Sequence, residues 1–453
     1  MFKKDFKWGA ATASYQIEGA AFEDGKGLNI WDTFSHTKGK IYNGHTGDVA
    51  CDHYHRYKED VALMKEIGLK AYRFSISWAR ILPEGTGKIN PKGIEFYNNL
   101  IDELLKAGIE PYITLYHWDY PQTLYEKGGW LNPESPKWFE EYAKVVSENF
   151  SDRVKNFITF NEPICFVGLG YVLGSQAPGL KASPRDVARI GHNVLIAHGL
   201  GVKALRSNAK QKIKVGFAPN NSFAYPVDES KQSDIDAARI LSFPMKREPY
   251  GCAWSPAWWI DPVVLGKYPD ELIDLFEDYL PEGWQEDMKT ICQPLDFMGM
   301  NMYFGYPATT DKDGKPVIVP FPEGAPRTAI GWDITPQALK WCAVFLYERY
   351  KLPVVITENG LSCHDVISLD GKVHDPNRID FLHRYLLALR EATDMGVDVD
   401  AYFTWSLMDN YEWGSGYKER FGLIYVDYAT GKRTIKDSGY WYKDVIKSNG
   451  ENL

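Results

Sequence analysis

No C-x-x-C pair occurs in the 453 residues, and the six cysteines (Cys51, Cys165, Cys252, Cys292, Cys342, Cys363) stand far apart. That excludes a zinc-ribbon pattern and a dense disulfide framework, and it suits reduced thiols in a cytoplasm. No run of about eighteen apolar residues exists, and the opening "MFKKDFKWGAATASYQIEG" lacks the apolar core of a secretory leader. A cytoplasmic protein without a membrane partner is expected. Basic clusters interleaved with aromatics are missing too, and the net charge is −9, so no nucleic-acid partner is expected. No strand is followed by G-x-G-x-x-G or a Walker loop, and there is no G-x-S-x-G elbow. In "DHYHR", His53 and His55 lie two apart, on different faces of a helix, and no other dense His/Asp cluster appears. Neither a metal nor another cofactor is expected. With no linker, repeat or low-complexity tract, residues 1–453 read as one domain.

What the chain does have is an alternation. Apolar, β-rich runs recur in "FKWGAATASYQ", "KAYRFSISW", "EPYITLYHW", "NFITFNEP", "KIKVGFAPN", "LDFMGMNMYFG", "LPVVITENG" and "DVDAYFTWSL". Amphipathic segments such as "EDVALMKEIG", "YNNLIDELLKAG", "WFEEYAKVVSENF" and "VLIAHGLGVKALRSN" separate several of them, with glycine just past two of the helix ends. Strand–helix alternation with continuous apolar strands predicts a parallel sheet covered by helices. Eight units favour a closed (β/α)8 barrel of the TIM type over an open doubly wound sheet, with insertions in the βα loops such as 219–290.

Two of these runs end in a carboxylate, Glu162 of "NFITFNEP" and Glu358 of "LPVVITENG". One such glutamate is most simply a solvated residue past its strand. Two ask for a joint reason, because an unpartnered buried carboxylate costs several kcal/mol or becomes protonated. In a barrel the C-terminal strand ends share one mouth, so residues 196 positions apart in the chain would face each other across it. Facing carboxyls suit glycosidic bond cleavage, one protonated as acid and the other ionised. The 15 Trp, 28 Tyr and 22 Phe fit that reading where they cluster with polar groups, as in "YHWDYP", "NMYFGY" and "TWSLMDNYEWG". Ring faces take the C–H faces of a sugar, while polar neighbours take its hydroxyls.

Arg73, inside the otherwise apolar "YRFSIS", keeps its charge and needs an anion. Either it reaches Glu358 and keeps that group ionised, or it pairs with a scaffold carboxylate. Gln16 and Glu18 of "ASYQIEG" alone read as capping residues. His117 of "LYHWDYP" reads most simply as a structural histidine, the other readings being a base, a metal ligand or a donor to a sugar hydroxyl.

Taken in order, "FKWGAATASYQIEGA", "YRFSISWARILPEG", "YITLYHWDYPQ", "FITFNEP", "DFMGMNMYFG", "ITENG" and "TWSLMDNYEWGSGYKERFGLIYVDY" make the chain resemble glycoside hydrolase family 1, the retaining β-glucosidase group, from end to end. The resemblance implies a (β/α)8 barrel with Glu162 as acid/base and Glu358 as nucleophile. It implies that Gln16, His117, Asn161, Trp405, Glu412 and Trp413 line the nonreducing-sugar pocket, with Asn161 at the 2-hydroxyl and Trp405 as floor. Tyr303 and Arg73 would flank the nucleophile, Phe421 would close the wall, and Trp332 would pack on the leaving group.

The same resemblance sharpens the substrate. Phospho-β-glucosidases of this family carry serine where Glu412 stands, and its plant thioglucosidases replace the acid by glutamine. Unphosphorylated O-glycosides are therefore expected: β-D-glucosides and cello-oligosaccharides, with β-galactosides and β-fucosides left open. One departure is Ile164, where many relatives have a tryptophan lining the leaving-group side. A non-catalytic carbohydrate-binding barrel and an enzyme working mainly by transglycosylation are the alternatives. Whether the chain forms homo-oligomers is open.

Overall fold

The computed structural model describes Met1–Leu453. Eight parallel strands close into a barrel: β1 Lys7–Ala11, β2 Ala71–Ser75, β3 Glu110–Tyr116, β4 Asn156–Asn161, β5 Lys214–Ala218, β6 Phe297–Asn301, β7 Val354–Asn359 and β8 Val399–Trp405. Closure pairs the first strand with the last, in register from Lys7 with Ala401 to Ala11 with Trp405. Every residue of β2, β4, β6 and β7 is buried. Such strands are covered on both sides, which is why they read as continuous apolar runs rather than alternating ones.

The helices that cover the barrel are bounded by ordinary capping chemistry. In the helix Pro91–Lys106 the Asn90 side chain accepts the Lys92 N–H at 3.2 Å, and Pro91 occupies the first turn, where no amide hydrogen is needed. Phe96, Tyr97, Leu100, Ile101 and Leu104 form its buried face. Each such side chain contributes roughly 1.5–3 kcal/mol on burial, so Leu100→Ala would cost about 2–5 kcal/mol. The helix His53–Ile67 stops at Gly68, whose φ of 83° only glycine adopts without strain. The helix Pro184–Ser207 starts ten residues before the apolar "VLIAHGL" segment, because Ser183 caps it through the Asp186 N–H and Pro184 follows.

The insertion after β5 carries a short strand, Ala224–Pro226, and five helices between Gln232 and Ile291. That strand joins Tyr306–Thr310 and Pro316–Ile318 in a separate three-stranded sheet. A contiguous core of 123 buried residues runs through barrel and helices. No helix is long and apolar enough to cross a membrane.

Candidate active site

The C-terminal strand ends surround a cavity of about 500 Å³. Two local backbone features aim carboxyls into it. After β4, Glu162 takes a left-handed conformation (φ 48°, ψ 66°), its N–H donates to Ala218 O at 2.9 Å, and Pro163 opens the short helix Pro163–Val167. A non-glycine residue held there is strained, and such strain collects at sites whose geometry the surroundings dictate. In β7 the ladder shifts register between Ile356 and Glu358 against β6, and the resulting irregularity re-aims the Glu358 side chain. Just beyond, a Cβ on Gly360 would lie 1.8 Å from Trp405 O, so only glycine lets the ends of β7 and β8 approach so closely.

Arg73 is buried and reaches Glu358: Nη1 donates to Oε1 at 2.7 Å. Its other donors go to Thr114 Oγ1 (3.0 Å), Thr357 O (3.0 Å) and Asn161 Oδ1 (2.6 Å). The second oxygen of Glu358 accepts the Tyr303 hydroxyl at 2.6 Å. Glu162 has no cation partner. Its Oε1 accepts the Asn301 amide at 2.7 Å, and the other hydrogen of that amide goes to Asn161 Oδ1 at 2.9 Å.

The electrostatics separate the two acids. Burial, and then the Glu358 charge, push Glu162 up to about 7. Burial also lifts Glu358, but Arg73 and Tyr303 favour its ionised form and oppose that lift, so the pair's first proton leaves from Glu358. Glu412 is pushed up to about 8 by burial and by Glu358, so at neutral pH its carboxyl is mostly protonated.

His117 is likewise neutral, held well below its ordinary value by burial and Arg73. Asn161 Oδ1 already accepts from Arg73 and from Asn301 (2.9 Å), so its amide nitrogen donates to His117 Nε2 at 3.0 Å. The His117 proton then sits on Nδ1, which has no protein partner. Gln16 donates to Tyr411 O (2.8 Å) and Asn410 Oδ1 (3.1 Å) and lies 3.4 Å from Glu412 Oε2, leaving its own Oε1 unpartnered.

Trp405, Trp413, Tyr303, Phe421 and Trp332 form the aromatic wall, together with Trp118 and Phe304. Trp332 packs on Tyr303 at 5.0 Å and on Phe421 at 5.9 Å between ring centroids. Arg73 and Asn161 sit behind that surface. Ile164 does not form the cavity wall. It is half-buried against the core, and Cys165 faces the cavity at this turn instead. Glu18 lies outside the cavity, paired with Arg80 at 2.9 Å and Tyr97 at 2.5 Å. His53 is buried against Asp60 at 2.7 Å, while His55 is exposed beside Asp52 and Glu23.

Sequence reasoning missed Asn301, Cys165, Gln176 and the run Asn220–Ser222, all at the cavity. Asn301 could have been found: like Asn161 and Asn359, it is a polar residue closing an apolar strand. The others lie on loops and short helices with no periodic signal.

The Glycosyl hydrolase family 1 model matches residues 1–451. The chain belongs to this family. It is 48% identical to Beta-glucosidase A of Thermotoga maritima over 99% of this chain and 98% of that one. It is also 48% identical to a 1,4-beta-D-glucan glucohydrolase of Thermotoga neapolitana over 99% of each. A bifunctional beta-D-glucosidase/beta-D-fucosidase of Bifidobacterium breve is 40% identical over 98% of each chain. The solved structure of a Thermotoga maritima beta-glucosidase in complex with glucoimidazole superposes with a TM-score of 0.89 at 47% identity, covering 99% of both chains.

Proposed function

We propose that this family 1 chain is a β-glucosidase that cleaves unphosphorylated β-D-glucosides and cello-oligosaccharides by double displacement, Glu358 being the nucleophile and Glu162 the acid/base. One observation carries the assignment: two buried carboxyls line one cavity, and only Glu358 is paired with a cation. Glu358 attacks the anomeric carbon as Glu162 passes its proton to the departing oxygen, leaving a glycosyl ester. Glu162, now ionised, takes a proton from water, which attacks and frees the sugar with its configuration retained. An ionised carboxylate held beside a cation, facing a protonated one across the same cavity, suits direct attack by the first while the second gives up its proton.

The unspent hydrogen-bonding capacity fits a sugar. His117 Nδ1–H and the second hydrogen of the Asn161 amide offer donors, Gln16 Oε1 offers an acceptor, and protonated Glu412 offers both. A 6-phosphate would bring its charge beside Glu358 in a cavity whose lining has no lysine or arginine, which disfavours it. The chain is proposed to act as one catalytic domain over 1–453, since barrel closure joins N-terminal β1 to C-terminal β8. Its free thiols suit a cytoplasmic setting.

The test is a panel of p-nitrophenyl β-D-glucoside, -galactoside, -fucoside and 6-phosphoglucoside, with NMR of the first product. Hydrolysis of the glucoside with β-glucose formed first, and no turnover of the phosphosugar, is the expected result. α-Glucose as first product would refute double displacement.

A further inference from the structure

Glu162 must change protonation state twice in each cycle, and a second set of contacts bears on that change. One helical turn beyond it, in Pro163–Val167, stands Cys165, whose backbone N–H donates to Glu162 O at 3.0 Å. Its thiol and the Glu162 carboxyl line the same cavity, one helical turn apart. Of the six cysteines it alone faces the cavity. From the other side the Asn220 amide donates to Cys165 Sγ at 3.3 Å. Asn220 is held in place by the backbone, since it is bridge-paired with Asn301, whose own side chain holds Glu162 Oε1 at 2.7 Å. Two neighbouring residues thus support the acid/base, Asn301 directly and Asn220 through the sulfur.

We propose that Cys165 is a positioning residue for the acid/base: with Sγ occupied by the Asn220 N–H, its S–H is directed at the Glu162 carboxyl, steadying the carboxylate that forms when the leaving group takes its proton. The proposal rests on Glu162 being the acid/base. The sulfur keeps its hydrogen for this use, because burial and the adjacent Glu162 raise the thiol well above its ordinary value. A thiol is a weak donor, so its effect on Glu162 is a tuning one. The sign follows from the contact: a donor to the ionised form makes Glu162 a stronger acid, and removing it makes Glu162 a weaker one.

The experiment compares the pH dependence of kcat/KM for the parent, Cys165→Ala and Cys165→Ser on p-nitrophenyl β-glucoside. Thermal unfolding of each protein is measured alongside. The basic limb, where Glu162 loses its proton, moves up by about half a pH unit in Cys165→Ala, because the donor is gone. It returns to the parent position or below in Cys165→Ser, because the hydroxyl donates again. A purely structural role would alter unfolding or KM and leave the limb in place. The limb itself is assigned with parent and Glu162→Gln assayed side by side on 2,4-dinitrophenyl β-glucoside, which the variant can still cleave because the leaving group needs no proton: a limb present in the parent and absent in the variant belongs to Glu162. If the limb survives Glu162→Gln, the acid/base reading falls and this proposal with it. If it vanishes there but stays put in Cys165→Ala, or if serine behaves as alanine does, the thiol's role alone is overturned.

Discussion

Two clusters of buried charge lie in this molecule, and they are built on opposite terms. In the catalytic cavity three carboxyls (Glu162, Glu358, Glu412) share one bonded cation, Arg73. Where the segments that follow β7 and β8 meet the start of the C-terminal helix, three aspartates meet three cations. Lys436 bridges Asp365 and Asp409 at 2.6 Å each, Arg378 holds Asp365 at 2.8 Å and also Asp375, and Arg420 holds Asp409 at 2.6 Å. Burial is nearly as deep in both, yet the outcomes differ in sign. Burial pushes Asp365 up, but Lys436 and Arg378 overcome it and leave that group below the usual carboxylate range. Glu162 and Glu412, without a cation, end near 7 and 8. Compensated charge is scaffold; under-compensated charge can move protons.

The largest effect that would test this contrast is chemical. Glu358→Gln removes the proposed nucleophile and should lower turnover by about 10⁴-fold or more, whereas a protein that only bound sugar would be unaffected. Glu162→Gln, which takes away a buried carboxyl that has no cation partner, should leave the unfolding temperature no lower. In the scaffold cluster the same kind of deletion acts the other way. Lys436→Met strands Asp365 and Asp409 with fewer partners and should cost about 3–5 kcal/mol of stability, measured by urea unfolding, with little change in turnover per folded molecule. Equal stability losses in Glu162→Gln and Lys436→Met would dissolve the distinction.

The sequence carried one cluster far better than the other, and the reason is local. Glu162 and Glu358 each close an apolar strand, so their pattern lies within eight or nine residues, and barrel topology brings them together. Arg73 was legible as a charge inside a strand, though not its choice of partner. The triad Asp365, Asp409 and Lys436 was invisible, because each sits on a loop or at a helix start where a charged residue excites no comment. Cys165 was hidden for another reason: attention to the missing tryptophan at 164 fell one residue short of the side chain that turns inward, since adjacent residues on a helix point about 100° apart.

A third test uses pH. Between the ordinary carboxylate value of 4.5 and about 7, the folded protein keeps a proton on Glu162 that the unfolded chain has released. Stability contributed by this group therefore falls as pH rises through that window, by on the order of 3 kcal/mol in total. Asp365 has the opposite sign: its contribution is present above the ordinary aspartate value and is lost as pH falls through its lower folded value. Glu162→Gln should lessen the loss between pH 5 and 7.5 in urea unfolding, leaving the share that Glu412 contributes over the same range and the acid-side loss intact. A parent curve that is already flat across that window would mean Glu162 is not held protonated.

The smallest effect separates the two groups that oppose the lift on Glu358. Tyr303→Phe removes the hydroxyl that donates to Oε2 at 2.6 Å and keeps the ring that packs on Trp332 at 5.0 Å. Arg73 remains on Oε1, so Glu358 still ionises, but with one donor fewer its proton is held to higher pH. The acid limb of kcat/KM should shift upward, and the plateau should fall about tenfold, the size of one charge-assisted hydrogen bond. If the limb does not move, Arg73 alone sets the ionisation of Glu358. The cavity would then resemble the scaffold cluster at that one carboxyl, with its reactivity confined to the unpaired Glu162.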